Sequence, residues 1–193
     1  MAILLKARYR ITACVLASAL LLAVLPVLSA AQNQNKEENQ EVTRLLQDAR
    51  DKAAVVSRDA DEMETLTRSD TSWQTHASML ETMKEDVNDL AKDVEKLTAA
   101  RDSASPWQQQ AIDRMLPLMK ELASNTTAAI NHLKQERTRP TTPEYAEYLR
   151  QNSESARQLS DMISSFVQYG QTRAKLDKLE QKLEIGTGKR ASR

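Results

Sequence analysis

Apolar side chains recur at alternating intervals of three and four residues along most of this chain, and the pattern is most regular between residues 73 and 97. Such spacing places the apolar side chains on one face of an α-helix, and its persistence over more than three heptads is typical of coiled-coil packing. This stretch predicts a long second helix with a buried seam formed by Trp73, His76, Leu80, Met83, Val87, Leu90, Val94 and Leu97.

Three further segments carry the same periodicity and predict a first, a third and a fourth helix. The first spans residues 38–68, and the third spans residues 106–137. The fourth starts at Pro143, continues through Gly170 and carries its last apolar positions at residues 176, 179 and 183. Each segment is amphipathic, so the four helices need one another to bury their apolar faces.

Short capping sequences separate the predicted helices. Residues 69–72 and the pairs Ser105-Pro106 and Thr142-Pro143 supply side chains that cap a helix and prolines that suit its first turn. Connections this short join neighbouring helices in opposite directions. Only three glycines are present, none before residue 170. The sequence therefore predicts an all-α fold, an antiparallel up-down-up-down four-helix bundle over residues 41–185 with coiled-coil-like packing.

The first 31 residues have the order of charge, apolar run and small side chains that marks an export signal. Lys6, Arg8 and Arg10 precede an apolar run over residues 11–28, and Ser29-Ala30-Ala31 follows it. We expect cleavage after residue 31, although the run is long enough to remain as an uncleaved membrane anchor. Residues 32–40 are predicted to be a disordered lead-in and residues 186–193 a flexible basic tail. The remainder is expected outside the cytoplasm, in the periplasm or the extracellular space.

Charge limits the class of partner that we expect, and cysteine content limits the chemistry of the mature chain. The chain has 27 Lys and Arg and 27 Asp and Glu, and removal of the three signal cations leaves a net charge of −3. Nucleic acids and anionic membrane surfaces attract proteins with a concentrated excess of cations, so we expect neither as the main partner. A membrane contact is expected only if the signal stays uncleaved. Cys14 is the single cysteine and lies in the signal, so thiol chemistry is not expected in the mature chain.

The sequence contains no motif that is typical of catalysis or of nucleotide binding. A phosphate loop and a dinucleotide fingerprint are both missing, and so is the glycine-rich turn that exposes a catalytic nucleophile. Di-iron bundles need Glu three residues before His, whereas Trp73 precedes His76 and Ala129 precedes His132 at that distance. We therefore predict that the protein is not an enzyme and has no resident cofactor.

Two histidines and a methionine are the candidates for a metal or haem site in the alternative function. Pairing of the second and third helices about a turn near residue 104 places His76 level with His132, and Met63 and Tyr148 fall near the same layer. Imidazole and thioether groups at one height inside a bundle are ligands for a transition metal or for haem iron. The simpler interpretation is that both histidines are structural.

A row of acidic residues four apart is predicted on the outer side of the second helix. Its members are Glu81, Glu85, Asp89 and Asp93. Like charges at this spacing repel one another, so the row would suit a basic partner or a divalent cation. Lysines at positions 84, 92 and 96 lie within three residues of these carboxylates, and a solvated helix face is the simpler explanation of the row.

The end of the fourth helix is the candidate protein-contact surface. If the first and fourth helices run together, the first has no residue left to cover Leu176, Leu179 and Leu183. Charged residues flank these leucines as in a coiled-coil strand. The expected function is a scaffold, adaptor or holdase of the cell envelope, binding a protein partner or a second copy through this segment. The structural alternative is that this segment folds back at Gly170 or frays. The functional alternatives are a bundle that binds a small ligand, metal or haem, and the extracytoplasmic part of an anchored sensory protein.

Overall fold

The computed structural model describes residues 38–136 and 142–183, which form four α-helices and no strand. Helix α1 spans Gln40–Leu66, α2 spans Trp73–Ala99, α3 spans Pro106–Gln135 and α4 spans Pro143–Lys182. A short 3-10 turn at Arg101–Ser103 precedes α3. Over these residues, the prediction of an all-helical fold with four helices is confirmed. The predicted signal, residues 32–37 of the lead-in and the tail at 186–193 lie outside the described residues.

The helices begin where side chains can satisfy the first free backbone N–H groups. Asn39 Oδ1 accepts from the backbone N–H of Glu41 and Val42 at 3.0 and 3.2 Å. Ser72 caps α2 and Thr142 caps α4 in the same way. Asn39 is therefore the cap of α1 and Gln40 its first residue, so α1 begins inside the predicted helix at 38–68 and overlaps the end of the segment predicted as a lead-in. Asn39 also bonds to Gln108 of α3.

The apolar stripes of the four helices meet in one core. Seven of the eight predicted seam residues of α2 are buried, and Trp73 at its first turn is partly buried. Substantial contacts join each helix to the next along the chain and also join α1 to α4. This closed order of neighbours is compatible with a helical bundle.

Helix α4 is much longer than its neighbours. It has 40 residues, whereas α1, α2 and α3 have 27, 27 and 30. Gly170 is its last buried residue, and every residue from 171 to 183 is exposed. None of the helices in the described part of the chain is both long enough and apolar enough to cross a membrane.

A buried glutamine joins the starts of α1 and α3. The Gln108 side chain accepts from the backbone N–H of Ser105 and Asn39 at 2.9 and 3.1 Å. Its amide donates to the Asn39 carbonyl at 2.8 Å and to Thr43 Oγ1 at 2.9 Å. Because every polar atom of this amide has a partner, Gln108 fixes α1 against α3 at the end of the bundle from which α4 emerges.

Candidate functional site

The two histidines that the sequence singled out both contact Tyr145, in the first turn of α4. The Tyr145 hydroxyl lies 3.2 Å from His76 Nδ1, and its ring stacks against His132 with centroids 5.8 Å apart. His132 Nε2 lies 2.7 Å from the Thr142 hydroxyl, so the cap of α4 also holds this imidazole. Tyr148 packs edge-on against His132 at 6.1 Å between centroids. The histidines therefore belong to one cluster at the start of α4.

Burial determines the protonation of two members of this cluster, His76 and Tyr145. His76 and Tyr145 are fully buried. Removal from water disfavours charge, which lowers the pKa of His76 and raises the pKa of Tyr145. His76 is therefore neutral at pH 7 and Tyr145 keeps its proton. Among the described residues, His76 Nε2 has no hydrogen-bond partner.

The geometry gives the proposed metal ligands other neighbours. The Tyr145 hydroxyl lies within hydrogen-bond distance of His76 Nδ1, and the Thr142 hydroxyl lies within that distance of His132 Nε2. Met63 is buried on α1. Within residues 38–136 and 142–183, no group of three or more His, Cys, Asp or Glu side chains is arranged to hold a metal ion. A metal or haem at His76, His132 and Met63 therefore stays an untested alternative to the prediction of no resident cofactor.

The end of α4 presents the predicted leucines to solvent. The exposed fractions are 54% for Leu176, 54% for Leu179 and 62% for Leu183. Helix α4 continues without interruption through Gly170 to Lys182, so the chain does not break and fold back at the glycine. We call residues 171–183 the α4 extension. Its exposure is confirmed, whereas its role in binding stays a prediction.

Gly170 marks the point at which α4 leaves the bundle. A Cβ atom at this position would lie 2.7 Å from Cη2 of Trp107, which is closer than real side chains approach. The absence of a side chain lets the indole of Trp107 pack directly against the α4 backbone. Trp107 also meets the ring of Tyr169 edge-on, at 5.7 Å between centroids.

An open cleft of about 540 Å³ lies beside the start of the α4 extension. The guanidinium of Arg114 lies over the Phe166 ring at 5.9 Å and borders the cleft. We call this cleft the α3–α4 groove, and it is lined by Trp107, Gln110, Arg114, Met162, Ser165, Phe166 and Tyr169. A smaller open cleft of about 230 Å³ lies between the start of α2 and the end of α3.

The acidic row on α2 differs from its prediction at one member. Glu81, Glu85 and Asp89 are exposed, but Asp93 is buried with 3% of its surface exposed. Lys52 of α1 and Lys96 of α2 donate to its two carboxylate oxygens at 2.5 and 3.0 Å. Burial alone would raise the pKa of Asp93, but the two lysines outweigh it and the pKa is lowered. The placement of Asp93 on the outer side is wrong, because α1 covers it.

Sequence periodicity could have found two of the residues that it missed. Trp107 lies four residues before Ala111, and Tyr145 lies four before Leu149, so both extend the predicted apolar faces. Asp93 and Gln108 gave no such signal, because a polar residue next to an apolar face is buried only if another helix brings it a partner.

Comparison of the chain with protein-family models, with curated proteins and with solved structures finds no match. Its own residues present two contrasting candidates at opposite ends of α4. The first is the closed cluster of His76, His132 and Tyr145, and the second is the exposed α4 extension beside the α3–α4 groove.

Proposed function

We propose that this is an exported helical-bundle protein that acts by protein–protein contact, as a scaffold, adaptor or holdase of the cell envelope. The single observation that carries the proposal is the exposed leucine stripe of the α4 extension. A binding role rather than a catalytic one is proposed, and the extension is the docking surface.

The energetics of the extension favour a partner. A helix of 13 residues is marginal in water when no neighbouring element covers it. Complete burial of a leucine side chain contributes about 1.5–3 kcal/mol, and the three leucines are each more than half exposed. Covering the stripe would therefore contribute several kcal/mol to association.

The contacts between α3 and α4 support an antiparallel up-down-up-down order for the bundle. Trp107, early in α3, packs on Gly170, which is late in α4. Thr126, later in α3, approaches Asn152, which is earlier in α4, at 3.5 Å. Residue numbers that rise along one helix while they fall along the other are expected of antiparallel neighbours.

Export is supported by the sequence of the first 31 residues alone. The cations, the apolar run and the small residues at 29–31 match the order that a signal peptidase recognises. The mature chain is then expected to begin at Gln32. N-terminal sequencing that returned residues before position 11 would instead indicate a membrane-anchored form.

Truncation after Gly170 tests the docking role. We expect the shortened protein to lose its complex in chemical crosslinking of intact cells and in light scattering, while its melting temperature stays nearly unchanged. A full-length variant with Leu176→Gln, Leu179→Gln and Leu183→Gln removes only the leucine stripe, and we expect it to lose the complex as well. Unchanged crosslinked complexes in both variants would contradict the proposal.

A further inference from the structure

The apolar residues of α4 around Gly170 have a mirrored spacing. Before the glycine, Met162, Phe166 and Tyr169 follow one another at intervals of four and three. After it, Leu176, Leu179 and Leu183 follow at intervals of three and four. The first set lines the α3–α4 groove, and the second is the exposed stripe. Helix α4 thus carries both residues that line the α3–α4 groove and an exposed leucine stripe with the mirrored spacing.

Mirrored spacing has a simple consequence when two identical helices pair in opposite directions. A two-fold axis between residues 172 and 173 brings residues that are equally far from the axis to the same level. Leu176 then lies level with the partner's Tyr169, Leu179 with the partner's Phe166 and Leu183 with the partner's Met162. We infer that the occupant of the α3–α4 groove is the α4 extension of a second copy of this chain, in an antiparallel, reciprocal dimer. The inference rests on the proposed docking role of the extension.

One charge on the extension, Glu180, is complementary in this register to Arg114, the charged residue among those that line the groove. Glu180 lies level with the partner's Ser165, which lines the groove. Fourteen residues, close to four turns, separate Glu180 from Phe166, so both project from the same flank of α4. Arg114 lies over Phe166 on that flank, and both Arg114 and Glu180 are exposed. The dimer therefore places Glu180 of each copy against Arg114 of the other, and the pair forms twice.

The arrangement also leaves room for both bundles. Each bundle ends near Gly170, where the last buried position of α4 packs on Trp107. The partner's bundle would start level with residue 175, about 7–8 Å further along the helix at the usual rise per residue. The bundles then meet end to end, and each extension lies alongside the other bundle.

A parallel coiled coil is the competing arrangement. It would set Leu183 against the same leucine of the second copy and Lys175 near Glu180, as g and e positions. In a parallel coiled coil only the two α4 extensions, about two heptads each, would contact one another, and Arg114 would have no partner. The antiparallel arrangement buries both the stripe and the groove, and for this reason we favour it.

Charge reversal tests the register in the purified protein. By sedimentation equilibrium, we expect Glu180→Arg and Arg114→Glu each to weaken dimerisation by about tenfold or more, because each places like charges together. The double variant should return to within about threefold of wild type. Glu121→Arg, an exposed reversal on α3 outside the groove, should leave dimerisation unchanged. Failure of the double variant to recover would overturn the register.

Disulfide crosslinking tests the direction, with Cys14→Ser as background. Oxidation of the variant carrying both Met162→Cys and Leu183→Cys should give a covalent dimer, and neither single cysteine should. Crosslinking by Leu183→Cys alone would overturn the antiparallel arrangement in favour of the parallel one. A monomer at all concentrations would overturn self-association. If truncation after Gly170 still abolished a complex with another protein in that case, the proposed docking function would stand without this inference.

Discussion

Helix α4 begins and ends in opposite surroundings. Near its start, Tyr145 is fully buried, contacts both histidines and keeps its hydroxyl within 3.2 Å of an imidazole nitrogen. Beyond Gly170, the side chains of Leu176, Leu179 and Leu183 are more than half exposed. The amino-acid types do not explain this contrast, because leucine is the more apolar of the two. It arises because α1 and α3 pack along the first part of α4, whereas no described element covers the last.

The two regions also differ in what they leave unsatisfied. At the buried end, the unsatisfied group is a polar atom, His76 Nε2, enclosed by the fold. At the exposed end, it is apolar surface in contact with water. An enclosed cluster stabilises the monomer or responds to pH, whereas an uncovered stripe favours association. For this reason we place the docking role at the extension and a structural role at the cluster.

The largest expected effect contrasts two leucines of α4. Leu149 is fully buried, so Leu149→Ala should remove apolar contacts, leave a cavity and lower the free energy of unfolding by about 2–5 kcal/mol. Leu176→Ala should change it little at concentrations where the protein is monomeric. Urea unfolding of both variants measures this. Equal losses would mean that the stripe is covered within the monomer.

The two tyrosines of α4 provide the second contrast. Tyr145→Phe removes the hydroxyl that bonds His76 and leaves the buried imidazole without that partner, at a cost of about 1–3 kcal/mol. Tyr169→Phe should be nearly neutral because that ring is half exposed. Thermal melts of both variants at pH 7 check the difference, and a neutral Tyr145→Phe would show that the buried hydrogen bond contributes nothing to stability.

A third prediction concerns pH at the buried end. Because burial lowers the pKa of His76 below its ordinary value of 6.5, the unfolded chain takes up the proton more readily than the folded one. Stability from this group is complete above pH 6.5 and is lost as the pH falls toward the folded-state pKa, by up to about 1.4 kcal/mol per pH unit.

Melts between pH 7 and pH 5 measure this loss. His76→Gln should flatten the pH dependence in this range, because it removes the buried group that titrates. A wild-type protein with no pH dependence here would contradict a buried neutral His76.

The smallest expected effect is at Asp93, which lies on α2 and belongs to neither end of α4. Asp93→Asn removes the charge that Lys52 and Lys96 bind, and should cost about 0.5–1 kcal/mol because both lysines can return to water. The pKa of Asp93 is lowered, so its contribution is complete above the ordinary aspartate pKa near 4 and is lost as the pH falls through the folded-state value.

The matched control on the same helix is Asp89→Asn, whose carboxylate is exposed and bonds Lys92. It should leave the melting temperature unchanged. Urea unfolding at pH 7 and pH 3 compares the two variants. A larger effect of Asp93→Asn at pH 3 than at pH 7 would contradict the sign of this linkage.

The sequence by itself determined the helices, their starts to within two residues and the buried face of α2. These features are local, because three-four spacing defines a helix face and a capping residue acts on N–H groups within its own first turn. The exposed end of α4 also followed from the sequence, since it needs only the lengths of the helices. The sequence also placed the start of α1 near residue 38, but it gave no sign that Asn39 would bond to Gln108, 69 positions away.

Only the tertiary structure decided which polar residues are buried and which surfaces form together. Asp93 and Glu85 look alike in sequence, yet only Asp93 lies where α1 brings a lysine over it. Tyr145 joins two histidines from different helices, and the α3–α4 groove joins Trp107 and Arg114 to Phe166. Each depends on groups far apart in the chain. A residue's own helix sets the direction of its side chain, but a neighbouring helix determines whether that side chain meets water, a charge or a ring.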